Sequence, residues 1–273
     1  MKVIFLTLLI ATSITAFSQK GIHGLTHAER SFARYTVQQG IPAGFSHFLD
    51  NKGIIFNGAE PKNGIEQYKQ QPTSPIILNW GPEYAVISAS QDFGFTTGPY
   101  HLQRSAKDSV FGRGQYSSVW HINEKGEWKV LVDLGVRYSH QRNIPESSMD
   151  MDLAKIATIP FSMEEVKEAD QQLNLLLEEK GGTVIEGYLT SQSWLNRDGQ
   201  SPLMGARAIF NEMQKIPSGI QLSYTGGEIS TAKDMAFTYG KNLDKNPQPY
   251  LRIWTKQKTG WVLLLQVMNW HKQ

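Results

Sequence analysis

Two short stretches decide how this chain folds: Asp92-Phe93-Gly94-Phe95-Thr96-Thr97-Gly98 and Asp234-Met235-Ala236-Phe237-Thr238-Tyr239-Gly240, 142 positions apart. Each sets an acid before a run that mixes aromatic and small residues and closes on glycine. Downstream, Gln115-Tyr116-Ser117-Ser118-Val119-Trp120 returns as Pro249-Tyr250-Leu251-Arg252-Ile253-Trp254 at an offset of 134. Gly126-Glu127-Trp128-Lys129-Val130-Leu131 returns as Thr259-Gly260-Trp261-Val262-Leu263-Leu264 at an offset of 133. Upstream, Ala28-Glu29 and Gly40 align with Ala169-Asp170 and Gly181, and Gly64 with Gly205, all at 141. Order is kept throughout, and the offset drops where the second copy lacks the segment around His101 to Gly114. Ordered matches in register mark a repeated unit. The chain therefore reads as two copies of one domain, residues 25–138 and 163–271. The linker between them, 139–162, carries Pro145, Ser147, Ser148 and Pro160 and has little periodicity.

Within each copy, helices precede strands. Leu25, Ala28, Phe32 and Ala33 share one helical face, Gly40 ends that helix, and Pro42 suits the first turn of a second helix reaching Phe48. A third short helix begins at Asn63. After Pro75 the pattern turns to strands over 76–80, 84–90, 93–102, 114–123 and 128–136, with Glu124-Lys125-Gly126 as the turn of a final hairpin. The second copy gives helices over 164–180, 183–189 and 203–215 and strands near 221–229, 235–242, 250–256 and 261–270. Helices followed by a run of antiparallel strands is an α+β layout. A strongly curved sheet wrapped around the leading helix would bury both apolar faces.

Composition narrows the function. The 273 residues carry 27 Lys+Arg against 25 Asp+Glu, a formal net charge of +2, so no cationic excess exists to hold a phosphate backbone, and nucleic acid is excluded as the expected partner. There is no cysteine, which removes disulfides, thiolate metal sites and a Cys nucleophile. Residues 1–18 pair Lys2 with an apolar run from Val3 to Ile10 and end in Ala16-Phe17-Ser18, the pattern of a cleaved signal peptide. The expectation is an exported protein, periplasmic or extracellular, with no stable membrane anchor after cleavage.

The words of the first copy resemble the nuclear transport factor 2-like superfamily, with its SnoaL-like and ketosteroid isomerase-like members, and most of all the family catalogued as domain of unknown function 4440. The residues that carry the likeness are Ala28 to Phe32, Gly40 to Phe45, Ser88 to Gly98, Gly114 to Trp120 and Gly126 to Val130. It covers about residues 25–137, and the second copy keeps the skeleton more loosely. The resemblance implies cone-shaped α+β domains with a pocket between helices and sheet. It implies no single chemistry, because these strings are turn glycines and core aromatics and the fold hosts enzymes, binders and dimerisation modules.

Such a pocket needs apolar walls and a few polar groups. Tyr35, Trp80, Tyr116 and Trp120 are the candidate ligand-binding residues; Tyr116 and Trp120 lie four apart on one strand and share a face. Asp133, in Val130-Leu131-Val132-Asp133-Leu134, is the candidate base, because an acid in an apolar strand must be hydrogen bonded, paired or held neutral; a strand-end Asp paired with Arg137 or facing solvent is the plainer reading. The second copy has Gln266 there, which places any reactive site in the first copy. His101 and His121 fall on strands and are further candidate bases. Asp92 and Asp234 read as turn residues. His23 and His27 read as a solvated helix start, and Met149 to Met151 as solvated linker. Trp128, Trp254 and Trp261 read as core. No nucleotide loop, nucleophile elbow or metal motif occurs, so the expected protein uses no cofactor. Three roles remain open at this point: binding of a small apolar molecule in the first copy, proton-transfer catalysis of the isomerase or cyclase type, and a non-catalytic interaction module, as an internal pseudo-dimer or a homodimer.

Overall fold

The computed structural model describes residues 20–138 and 149–269; the signal segment, His140 and His271 lie outside them. The first unit runs α1 (Ile22–Gln39), α2 (Ile41–Phe48), β1 (Leu49–Asn57), β2 (Glu60–Asn63), α3 (Gly64–Lys69), β3 (Ile77–Trp80), β4 (Tyr84–Ile87), β5 (Phe93–Gln103), β6 (Gly112–Ile122) and β7 (Trp128–Arg137). A connecting strand, β8 (Met149–Asp152), follows. The second unit runs α4 (Met163–Lys180), a 3-10 segment over Gly181–Tyr188, β9 (Trp194–Arg197), β10 (Gln200–Met204), α5 (Ala206–Met213), β11 (Leu222–Ile229), β12 (Ala236–Asn242), β13 (Pro249–Gln257) and β14 (Gly260–Met268).

The repeat survives as topology. The first sheet has the order β2-β1-β7-β6-β5-β4-β8, and the second β10-β9-β14-β13-β12-β11. Without β8, and with β3 set aside on β5, the two orders are the same. In both, the first strand joins the last hairpin in parallel: Leu49 against Val130, and Trp194 against Leu265. Both hairpins break register at the same place, between Val119 and Trp120 and between Ile253 and Trp254. The Asp92 and Asp234 turns match in their backbone hydrogen bonds. Ser88 N–H donates to Phe93 O and Ser230 N–H to Met235 O; Gln91 N–H donates to Ser88 O and Lys233 N–H to Ser230 O. Among the described residues, Gln91 and Lys233 are the non-glycine positions with positive φ, at 60° and 58°. Left-handed backbone is costly for such residues, and finding it twice at one register position reflects one inherited turn.

Local chemistry explains the helices. Phe32, Leu25 and Ala28 of α1 are buried, Gly40 takes φ 88° at its end, and Pro42 opens α2. Gly44 lets α2 press on α1, since a Cβ there would stand 1.9 Å from Thr36 Oγ1. Ser162 and Glu165 form a capping box on α4.

Three clusters make up the core. One fills the first cone, with Leu25, Phe32, Phe45, Ile87, Trp120 and Val130. A second fills the other cone, with Leu173, Leu177, Met213, Tyr250, Trp254 and Leu263. The third lies between the two sheets and joins Val86, Phe95, Val119 and Val132 to Phe237, Leu251, Ile253 and Leu264. Period-two alternation thus turns one side of each sheet to its own helix and the other to the second sheet. Across this seam Tyr84 stacks on Trp194 at 5.3 Å, and Phe93 lies parallel to Phe237 at 6.4 Å. Asn196 donates across it to Thr97 Oγ1 at 3.0 Å and Ser117 Oγ at 2.9 Å, so the polar group buried there is satisfied.

Several expectations need correction. Met149 to Met151 are not a plain solvated linker: they form β8, parallel to β4, with Met149 and Asp150 exposed but Met151 buried. The physical reason is the open backbone edge of β4, which β8 pairs. The helix expected over 203–215 is shorter, because Leu203 belongs to β10 and Gly205 turns the chain at φ 85° before α5. The β9–β10 hairpin was not anticipated. His23 and His27 are exposed on α1, and Trp128 and Trp254 are core, with Trp261 packed at its edge.

Candidate functional site

The first cone keeps an open cleft of about 350 Å³. Its apolar wall comes from Ile41 and Phe45 of α2, Leu78 and Trp80 of β3, and Leu102 of β5. Its polar groups are Tyr68, Gln71, Tyr100 and Tyr116, with Asp133 and Arg137 of β7. Strand alternation sorts β7: Val132, Leu134 and Val136 face the second sheet, whereas Asp133, Gly135 and Arg137 line the cleft. Small residues make room for Tyr100. A Cβ on Gly114 would lie 2.5 Å from its ring, and one on Gly135 would meet it at 3.5 Å.

Asp133 is not paired with Arg137. Its Oδ2 accepts a hydrogen bond from Ser118 Oγ at 2.7 Å, across the β6–β7 pair. Protein surrounds the carboxyl closely, though part of the side chain borders the cavity. Burial raises its pKa to about 6, with the Ser118 bond opposing. The same burial, aided by the Asp133 charge, pushes the Tyr68 phenol up. The Tyr116 hydroxyl is buried with no hydrogen bond of normal geometry; burial pushes its pKa up, the Glu29 charge adds to the rise and the Thr96 hydroxyl opposes it.

Behind Trp80 and Tyr116 lies a second acid. Glu29 of α1 is fully buried. Trp80 Nε1 donates to its Oε1 at 2.5 Å, Trp120 Nε1 donates to its Oε2 at 2.8 Å, and Thr96 Oγ1 also donates to Oε2. No cation balances it among these partners. Desolvation lifts its pKa to about 7, against the pull of the three donors. Asp133 adds to the rise by its charge.

The second cone is built otherwise. Asp170, which aligns with Glu29, meets Arg252 Nη1 at 2.9 Å and accepts from Tyr250 Oη at 2.6 Å and Thr238 Oγ1 at 2.7 Å. Arg252 replaces Ser118, and its Nε donates to Gln266 Oε1 at 3.3 Å, where Gln266 replaces Asp133. A guanidinium and an amide thus stand at the strand positions that carry Ser118 and Asp133 in the first cone.

The expected site residues divide. Asp133, Trp80 and Tyr116 meet in the cleft. Trp120 is fully buried, does not line the cleft, and hydrogen bonds Glu29 behind it. Tyr35 stacks on His47 at 4.8 Å, away from the cleft wall. His101 lies on β5 between Tyr100 and Leu102, which line the cleft, so alternation turns it the other way; burial and Arg113 push its pKa down. His121 Nε2 stands 2.8 Å from Asp50 Oδ2, an ion-pair position outside the cleft. The three residues are placed elsewhere because a helix face or a strand parity separates them from the cavity. Glu29, Tyr68 and Tyr100 were missed. For Glu29 the signal was present, since its match with Asp170 puts an acid on the buried face of both leading helices. Among the described residues no cluster of His, Asp and Glu has metal-ligand geometry.

No family model matches the chain, and no curated protein does. Solved structures do. Nuclear transport factor 2 from Cryptosporidium parvum is similar at 13% identity over 41% of this chain and 96% of its own, with a TM-score of 0.34. A protein of unknown function from the DUF3225 family of Pectobacterium atrosepticum is similar at 17% identity over 40% of this chain and 91% of its own, TM-score 0.34. A protein assigned as a ketosteroid isomerase from Parabacteroides distasonis is similar at 18% identity over 44% of this chain and 90% of its own, TM-score 0.33.

Proposed function

We propose that the first unit binds a small, largely apolar molecule in the Trp80–Tyr116 cleft, and that the second unit serves as its support. The observation that carries this reading is the contrast between the cones: one holds an aromatic cleft of about 350 Å³, the other a buried Arg252–Asp170 pair. The cleft combines apolar walls with a few convergent polar groups, the usual make-up of a ligand pocket. The signal pattern of residues 1–18 supports action outside the cytoplasm, which fractionation of the native host would test. Native mass spectrometry of protein purified from its own compartment tests the binding reading. A co-purified small molecule, lost in Trp80→Ala, is the expected result; thermal stability unmoved by lipids, steroids and aromatics would count against it, since a ligand selective for the folded state must stabilise it.

Asp133 favours a second reading, proton transfer. A carboxyl titrating near 6 beside an apolar cleft suits a general base at neutral pH. Its carboxylate would take a proton from a carbon next to a carbonyl and return it at another carbon, while a cleft tyrosine hydroxyl supports the oxygen, a role with a ketosteroid isomerase parallel. The test is exchange of substrate C–H for deuterium in D2O across a panel of enones and ketones. Exchange that persists in Asp133→Asn would remove Asp133 as the base.

A further inference from the structure

We propose that the ligand of the first-unit cleft carries an anionic group, a carboxylate, sulfate or phosphate, which seats on Arg113 and Arg137 at the seam between the two units. This rests on the cleft reading and deepens it. A larger cavity of about 650 Å³ opens at the end of β5, β6 and β7. It shares Tyr100, Leu102 and Arg137 with the aromatic cleft, so the two cavities are neighbours and a group on a cleft ligand needs to pass only these side chains to reach it. Arg113 and Arg137 both border it. The arginine ion pairs among the described residues are those of Arg197 and Arg252, so neither Arg113 nor Arg137 is ion-paired there; the Arg137 guanidinium hydrogen bonds the neutral Tyr100 hydroxyl. Arg104 adds a third cation at the rim, over the exposed Phe111 ring at 5.4 Å.

The second unit builds one side of this seat. Asp198 Oδ1 accepts the Arg137 N–H at 2.7 Å, and Gly199 N–H donates to Arg137 O at 2.7 Å. Asp198 N–H donates in turn to Asn269 Oδ1 at 2.8 Å. The β9–β10 turn thus clamps the Arg137 backbone from both sides. Among the described residues Asp198 is the acid bordering the cavity, and there one carboxylate stands against two guanidiniums. Guanidinium suits the task because its planar donors match two oxygens of an anion at once. An apolar body in the cleft and an anionic head on the arginines therefore define an amphipathic acid as the ligand class.

The test uses two probes of one shape, naphthalene-2-sulfonate and the neutral naphthalene-2-sulfonamide, titrated calorimetrically into the mature protein. The expected result is about ten-fold tighter binding of the sulfonate, lessened by added salt. Arg113→Gln, at a side chain that borders only the larger cavity, should weaken the sulfonate and leave the sulfonamide unchanged, and the double variant Arg113→Gln/Arg137→Gln should bring the two probes to parity. Equal binding of the two probes by the wild-type protein, or an equal loss of both in Arg113→Gln, would overturn the anionic seat while the cleft reading stands. Failure of both probes to bind would overturn the cleft reading and the seat with it.

Discussion

Glu29 and Asp170 hold the same position on the leading helices of the two units, and Asp170 alone touches a guanidinium. Arg252 Nη1 stands 2.9 Å from its Oδ1, whereas Glu29 rests on two indole N–H groups and a hydroxyl. The second cone answers its buried acid with a charge. The first lowers the charge on the acid itself, by raising its pKa to about 7.

This difference sets a pH dependence. Unfolded Glu29 loses its proton near 4.5, the folded one near 7. Between these values the folded state must keep a proton that the unfolded state has given up, so stability falls as pH rises through that window. The loss reaches about 3 kcal/mol. Asp133, raised from 3.8 to about 6, acts with the same sign at lower pH. Urea midpoints at pH 4.5 and pH 8 should differ less in Glu29→Gln than in the wild-type protein; an undiminished difference would contradict this account of Glu29.

Removing the charge that answers Asp170 should be severe. Arg252→Met leaves a fully buried carboxylate among neutral groups, a loss of about 3–5 kcal/mol. The double variant Asp170→Asn/Arg252→Met should recover much of that. Chemical denaturation of the two variants checks the pair, and recovery absent in the double variant would point to lost packing instead.

Ser118 tunes Asp133. Its hydroxyl bonds the charged carboxylate and so opposes the rise that burial causes. Ser118→Ala should move the Asp133 titration to higher pH, as followed by carbon NMR of the carboxyl. Any proton-transfer activity should shift its acid limb in step. A titration that stays in place would show that the bond carries no weight.

The seam between the sheets should unfold with both units. Trp194 is 1% exposed and stacks on Tyr84, and Trp194→Ala should cost about 3–5 kcal/mol. Because the cluster at the seam takes side chains from both sheets, calorimetry should still give one transition at lower temperature. Two separated transitions in the wild-type protein would mean the seam is weaker than its packing indicates.

Much of this fold was legible because its signals are local. Asp92 and Asp234 mark a turn that hydrogen bonds within itself, and the Trp128 and Trp261 hairpins show as apolar strand runs behind a turn. The seam was less legible: Phe95 and Trp120 are both apolar strand residues, and nothing in the string says that one faces the other sheet and one its own helix. The β9–β10 hairpin hid because its inward Asn196 is polar and looks like loop, although Asp198-Gly199 is a known hairpin signal. At the site, Asp133 stood out as an acid in an apolar run. Tyr35, His101 and His121 did not reach the cleft because their placement depends on helix rotation and strand parity.

The seam has a cost for any partial product of this gene. A polypeptide ending before Met149 would carry Tyr84, Phe93, Phe95, Val119 and Leu134 on one bare plate, and broad apolar plates of this kind drive self-association in water. Synthesis of the first half alone therefore yields material prone to clump or to be degraded, and only the finished chain brings its own cover.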